Sequence, residues 1–101
     1  MQRRQVERHS NVAPEQIRAA RAMLGWSQQD LADRSGISAR TVAAVELATN
    51  TPKRKTILQL AECLEAAGVR FGRTREYWPF VALKPSAEGE TALPQMADAE
   101  S

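Results

Sequence analysis

Ser27 to Glu46 reads SQQDLADRSGISARTVAAVE, and this stretch predicts two short helices held at a fixed angle by a tight turn. Ser27 is suited to N-cap the first helix, and Asp30 three residues on completes a weak capping box. Leu31 and Ala32 supply the buried face of that helix. Gly36 marks the turn, since glycine accepts a positive φ that a bulkier residue resists, and Ile37 is placed to plug the elbow. Ser38 caps a second helix, over about 38–47, in which Val42 and Val45 point inward. Its outer face carries Ala39, Arg40, Thr41, Ala43 and Ala44. A helix meant only for solvent would carry more Glu and Lys; this one is shaped to lie against something.

The flanking sequence supplies the rest of a helical core. Upstream, Pro14 suits the first turn of a helix running to about Leu24, with Ile17, Ala20 and Leu24 on its apolar face and Gly25 ending it. Ala13 is a poor N-cap. Trp26 reads as an anchor covering this helix. Downstream, the second motif helix is expected to reach about Ala48, with Asn50 in the left-handed conformation that ends it. Thr51-Pro52 then open a further helix, in which Ile57, Leu60, Ala61 and Leu64 repeat at helical spacing, and Gly68 stops it.

After Gly68 the pattern becomes strand-like. Val69 and Phe71 alternate with Arg70, residues 72–76 read as a loop, and Phe80 to Leu83 read as a second strand that Pro79 restricts to an edge or a start. A lone hairpin is marginal in water, so this one must pack on the helices or on another copy. The expected organisation is a flexible basic arm over 1–12, a helical domain over 13–68, a β-hairpin over 69–84 and a disordered acidic tail over 85–101.

A chain of 101 residues accommodates one domain. No apolar run approaches the roughly 20 residues of a membrane span, and MQRRQVERHSNV lacks the hydrophobic stretch of a secretory signal, so a cytoplasmic location is expected. Cys63 is the only cysteine, which excludes an internal disulfide; it sits among Leu60, Ala61 and Leu64 as a small core or boundary residue. His9 and Cys63 make no metal site. The net charge of +2 hides an uneven spread: residues 1–55 hold ten Lys and Arg against five acids, and residues 56–101 hold four against seven. The basic half is the half with the paired helices, the polarity that phosphate attraction needs. Catalysis finds no foothold, because there is no phosphate loop and no nucleophile with a base at a recognisable spacing. The paired acids Asp30 and Asp33 lie beside Arg34 on one helix turn and read as solvated surface. No enzyme activity and no cofactor are expected.

Spacing and residue type together resemble the lambda-repressor-like helix-turn-helix family, also called XRE or Cro/repressor type, over residues 14–68. The residues that carry the resemblance are Ser27 to Ala32, Gly36-Ile37-Ser38, Thr41-Val42, Glu46 and Thr51-Pro52 before an apolar helix. It implies a mainly α fold of four to five helices with a short C-terminal hairpin and a flexible tail. It also implies sequence-specific binding of double-stranded DNA by a transcriptional regulator that inserts the second motif helix in the major groove. Base reading falls to Ala39, Arg40, Thr41 and Ala44: Arg40 makes a two-pronged contact to guanine, and the methyls of the others suit thymine. Phosphates fall to Ser27, Gln28 and Ser38 at helix N-termini and to Lys53, Arg54 and Lys55. Arg3, Arg4 and Arg8 are either a DNA-reaching arm or a solvated tail. In the family an arginine at the position of Arg21 pairs with a glutamate at that of Glu46; a free surface arginine is the alternative. The chain departs from the family at Ala48, where a glycine is usual.

One strong hydrogen-bonding side chain among four base readers calls for two-fold repetition, and so for a homodimer. Phe71, Tyr77, Trp78 and Phe80 gather beyond the helical core and mark an interface between copies, with packing on the chain's own helices as the competing reading. The competing function is a protein-interaction module on the same fold, such as an antitoxin-like partner.

Overall fold

Caps and glycines set the helix boundaries. The structure, a computed structural model, describes residues 12–49 and 51–85. In chain order these form α1 (Pro14–Met23), α2 (Gln28–Ser35), α3 (Ala39–Leu47), α4 (Arg54–Ala66), β1 (Val69–Arg73) and β2 (Pro79–Leu83). The fold is mainly α, with four helices among the described residues and one hairpin behind them. The expected basic arm up to residue 11 (with Arg3, Arg4 and Arg8), Asn50 and the tail from residue 86 lie outside the described residues.

One stripe of each helix faces a common core. It holds Ile17 and Ala20 of α1, Leu31 and Ala32 of α2, Val42 and Val45 of α3, and Ile57, Leu60, Ala61 and Leu64 of α4, all buried. Trp26, Ile37 and Cys63 are half-buried against it. Burial pushes the Cys63 thiol above its usual pKa, against a smaller opposing pull from Arg34. Such a thiol stays protonated and unreactive.

Ser27 and Asp30 form the capping box reciprocally: Asp30 N–H donates to Ser27 Oγ at 2.9 Å, and Ser27 N–H donates to Asp30 Oδ2 at 2.8 Å. Asp30 is fully exposed, and its carboxyl lies below the usual range because the backbone and side chain of Ser27 hydrogen-bond to it, with Arg34 adding to the effect. Gly36 ends α2 with φ 80°. Gln59 of α4 donates from Nε2 to the Ser35 carbonyl at 2.8 Å, satisfying one of the acceptors that a helix end leaves open.

Several features differ from the sequence reading. The second motif helix stops at Leu47, and Ala48 itself takes the left-handed conformation, φ 54°. It occupies the place where the family has glycine. The following helix begins at Arg54, with Lys53 still extended at its N-cap. Val12, placed with the arm, is buried at 6% exposure and belongs to the core. Phe71, grouped with aromatics that the helical core does not use, is 1% exposed.

The hairpin lies across α1 and α4. Its strands pair antiparallel with Val69 opposite Leu83 and Phe71 opposite Val81, which sends Val69 and Phe71 into the core on one face. β1 runs through Gly72 to Arg73, beyond the expected loop start, because Gly72 is covered by the ring of Phe80 from the opposite strand; a Cβ there would collide with that ring. Arg75, Glu76 and Tyr77 form the loop. Tyr77 N–H donates to the Thr74 carbonyl and Thr74 N–H to the Trp78 carbonyl, each at 2.8 Å. Tyr77 is left-handed at φ 68°, the conformation that three-residue hairpin loops require at their last position.

Gln16 locks helix and hairpin together. It is 4% exposed; its Oε1 accepts from Ala13 N–H at 2.8 Å, and its Nε2 donates to the carbonyls of Gly72 at 3.2 Å and Phe80 at 3.0 Å. Ala13 has no capping side chain, and Gln16 supplies the return half of the cap instead.

A left-handed alanine is disfavoured by about 1 kcal/mol relative to glycine, part of which glycine gives back as chain entropy. Ala48→Gly therefore stabilises the fold by roughly 0.5–1 kcal/mol. Thermal melts followed by circular dichroism should show a rise of a few degrees, and a lower midpoint would contradict the role assigned to this cap.

Candidate nucleic-acid interface

Glu46 organises the elements around α3. Its side chain is 2% exposed. Arg21 of α1 meets it with both prongs, Nε to Oε2 at 2.7 Å and Nη2 to Oε1 at 2.9 Å, while Arg21 Nη1 donates to the Trp26 carbonyl at 2.8 Å. Gln28 at the start of α2 adds a donor from Nε2 to Glu46 Oε1 at 3.0 Å. One carboxylate thus collects α1, the α1–α2 link, α2 and α3. Burial alone would push the Glu46 carboxyl up; the hydrogen bonds from Arg21 and Gln28 and the positive charges of Arg21 and Arg18 outweigh it and hold the group below the usual range. The hydrogen bond to Glu46 raises Arg21 correspondingly, against desolvation.

With Val42, Val45 and Glu46 turned inward, helical geometry presents Arg40 and Thr41 fully and Ala44 partly to solvent. These three line an open cleft of about 420 Å³ together with Val45, Pro52, Lys53 and Thr56. Among the described residues no acidic side chain borders it. Three of the four expected base readers thus share a concave surface with one expected phosphate contact. Ala39 does not: it is half-buried and packs against the core. Arg54 and Lys55 are exposed in the first turn of α4, but Arg54 borders a different recess, with Val12, Pro14, Pro52 and Ile57.

The helix N-termini differ in what remains available. Ser27 is engaged in its capping box, and Gln28 spends one amide donor on Glu46, leaving the backbone N–H groups of Gln28 and Gln29 without intrahelical acceptors. At α3, Ser38 Oγ accepts from Thr41 N–H at 3.1 Å and donates to Thr41 Oγ1 at 3.0 Å. That bond fixes the Thr41 hydroxyl. At α4, Lys53 gives no side-chain cap and the first turn contains no acid. Lys53, Arg54 and Lys55 therefore crowd the positive end of a helix dipole, where cations are unfavourable by a few tenths of a kcal/mol each. An anion at this end would reverse the sign of that interaction.

A family described as helix-turn-helix has a model that matches residues 17–66, from the middle of α1 to the last residue of α4. Residues 17–66 belong to the lambda-repressor-like helix-turn-helix family. They carry the fold of DNA-binding helix-turn-helix regulators, with α2 and α3 as the motif and the hairpin outside the matched span. No curated protein matches the chain. Among the described residues no helix is long and apolar enough to cross a membrane.

Sequence reasoning missed three contacts of this helix-turn-helix domain. Gln28 braces Glu46 from α2. The Arg34 guanidinium lies 4.5 Å from the centre of the Trp26 ring, tying the α1–α2 link to α2. Gln16 joins α1 to the hairpin; a glutamine three residues after the N-cap was the available signal, obscured by alanine at the cap.

Removing one partner of a buried ion pair leaves the other uncompensated, at a cost of about 3 kcal/mol. Arg21→Ala and Glu46→Ala should each lower stability by that order, and the double variant should lose clearly less than their sum in a denaturation cycle. Because the folded-state pKa of Glu46 is depressed, its contribution is complete above the ordinary glutamate value, about 4.3, and is lost as pH falls below it. In Arg21→Ala only Gln28 and Arg18 are left to oppose burial, and the Glu46 carboxyl shifts toward its protonated form. The gap between wild type and Arg21→Ala should therefore narrow on acidification; a pH-independent gap would place the loss elsewhere.

Proposed function

We propose that this chain binds double-stranded DNA sequence-specifically through the major groove, with α3 as the reading helix, and acts as a transcriptional regulator. The observation that carries this reading is the cleft, without acids among the described residues, in which Arg40, Thr41 and Ala44 of α3 stand beside Lys53 at the uncapped start of α4. Arg40 is the long, exposed donor of the reading face, suited to guanine N7 and O6. The side-chain methyls of Thr41 and Ala44 suit thymine. Ala39, tucked against the core, reads at most at its edge. Lys53, Arg54 and Lys55, with the free N–H groups at the starts of α2, α3 and α4, neutralise and position phosphates. Ser27, Ser38 and Gln28 contribute by holding those N-termini in place. One strong reader per copy makes two copies on a two-fold symmetric site the natural mode of action.

Titration of the full-length protein against duplexes selected from a random pool tests this. Affinity should fall steeply between low and moderate salt, because several phosphates are neutralised; salt-insensitive binding to a protein instead of to any duplex would favour the interaction-module reading. Arg40→Ala should cost about 1–3 kcal/mol on the selected site and much less on random DNA, whereas Lys53→Ala should weaken both alike. Equal losses on both sequences would make Arg40 a phosphate contact.

A further inference from the structure

The exposed side of the hairpin is more ordered in its chemistry than a solvent face needs to be. Thr74 N–H bonds the Trp78 carbonyl, and Lys84 N–H bonds the Gly68 carbonyl. With the register between them, this makes 72 with 80 and 70 with 82 the hydrogen-bonded pairs. Even-numbered residues of β2 therefore turn their backbone groups toward β1, and odd-numbered ones turn theirs outward. The sheet has two strands among the described residues, so no third strand flanks β2. Four of its five residues, all but Val81, are exposed. Exposed apolar side chains are concentrated here: Tyr77 at 77%, Trp78 at 68%, Phe80 at 40% and Leu83 at 40%.

We propose that β2 pairs antiparallel with β2 of a second copy about a two-fold axis through Val81, joining the two hairpins into one continuous sheet. This rests on the reading that two copies act together and names the surface that joins them. The occupant is a second copy because the strand is complementary to itself in this register. Val81 faces its own mate, and their outward N–H and C=O groups exchange hydrogen bonds. Leu83 N–H reaches the Pro79 carbonyl of the other copy; Pro79 has no N–H to return and leaves none unpaired. On the outer face Phe80 falls opposite Ala82, and because its ring is turned over Gly72 of its own hairpin it leaves room for the small methyl. Trp78 falls opposite Lys84, an aromatic face beside a cation. The reciprocal contacts repeat both pairs, as an isologous interface must. Any shift of register by two residues sets Phe80 against Lys84 or Trp78 against Ala82, and loses both matches.

The test needs no DNA, so its failure is distinct from failure of the DNA-binding reading. By sedimentation equilibrium at micromolar concentration the full-length chain should be a dimer. Trp78→Lys sets two lysines against each other at both ends of the ladder and should weaken the dimer by roughly tenfold or more. Lys84→Glu added to it should restore association through a new opposite-charge pair. Trp78 contributes its local hydrogen bonds through its backbone, so the substitution leaves the hairpin turn in place, and circular dichroism should be unchanged. Hydrogen exchange supplies an independent readout: Val81 and Leu83 amides should be protected at dimer-forming concentrations and exchange freely on dilution. A monomeric wild type overturns the proposal. So does a Trp78→Lys dimer of wild-type strength, a double variant that fails to re-associate, or a dimer with unprotected Val81 and Leu83 amides.

Discussion

Glu46 is a nearly solvent-free carboxylate on the helix that must present a defined face to a partner, and every element of the motif answers to it. Arg21 meets it with a planar fork, a geometry that fixes angle as well as distance. The same guanidinium holds the Trp26 carbonyl, and Gln28 closes the remaining side. Buried ion pairs are weak sources of net stability, since desolvation offsets most of the attraction. What this one supplies is orientation. A hydrophobic pair of similar volume would hold α3 against α1 but would leave its roll about its own axis to packing alone. At the opposite end α3 is positioned by the left-handed turn at Gly36, the Ile37 plug and the Ser38 cap, so its rotation is fixed at both ends.

With that rotation fixed, the composition of the outer face follows from helical period. Val42, Val45 and Glu46 take the inner side, so positions 40, 41 and 44 must face out, and the small Thr41 and Ala44 leave room for something to approach the backbone closely. Ser38 and Thr41 hydrogen-bond to each other, which removes a flexible hydroxyl from the surface and orients the Thr41 methyl. Arg40 is then the long side chain that rises from the face.

The helical part of the fold was legible because its signals are local. Ser27, Gly36, Ser38 and the apolar periodicity of 57 to 64 each act within one or two turns, and each specifies its element almost alone. The errors fell where a residue's behaviour depends on something distant in sequence. Gly72 reads as a loop residue until Phe80 is known to cover it. Phe71 reads as surplus until β1 is laid along α4. Ala48 lacks the glycine that usually marks a left-handed cap, and the turn forms there nonetheless because the Glu46 pair holds α3 and the core holds α4, so the link must bend within a few residues. Of the expected interface, the part on α3 follows from the same periodicity, whereas the parting of Lys53 from Arg54 into different recesses depends on where α1 begins, which no local pattern carries.

Interior and surface differ in how well local preference is obeyed. Among the described residues the core is apolar apart from Gln16 and Glu46, and both are hydrogen-bonded throughout. The departures from preference are left-handed Ala48, left-handed Tyr77, and three cations at the positive end of α4 without a cap. Ala48 and the cation cluster sit at either end of the same short link, beside the cleft. Tyr77 sits at the tip of the hairpin, next to the exposed aromatic strand. A chain free to optimise each position by itself would place glycine, asparagine and an acidic cap there, all accessible by small changes. Local sequence rules fail most often at functional sites. Here the conflicts divide between two surfaces, one electropositive and shaped by α3 and α4, the other aromatic and shaped by β2.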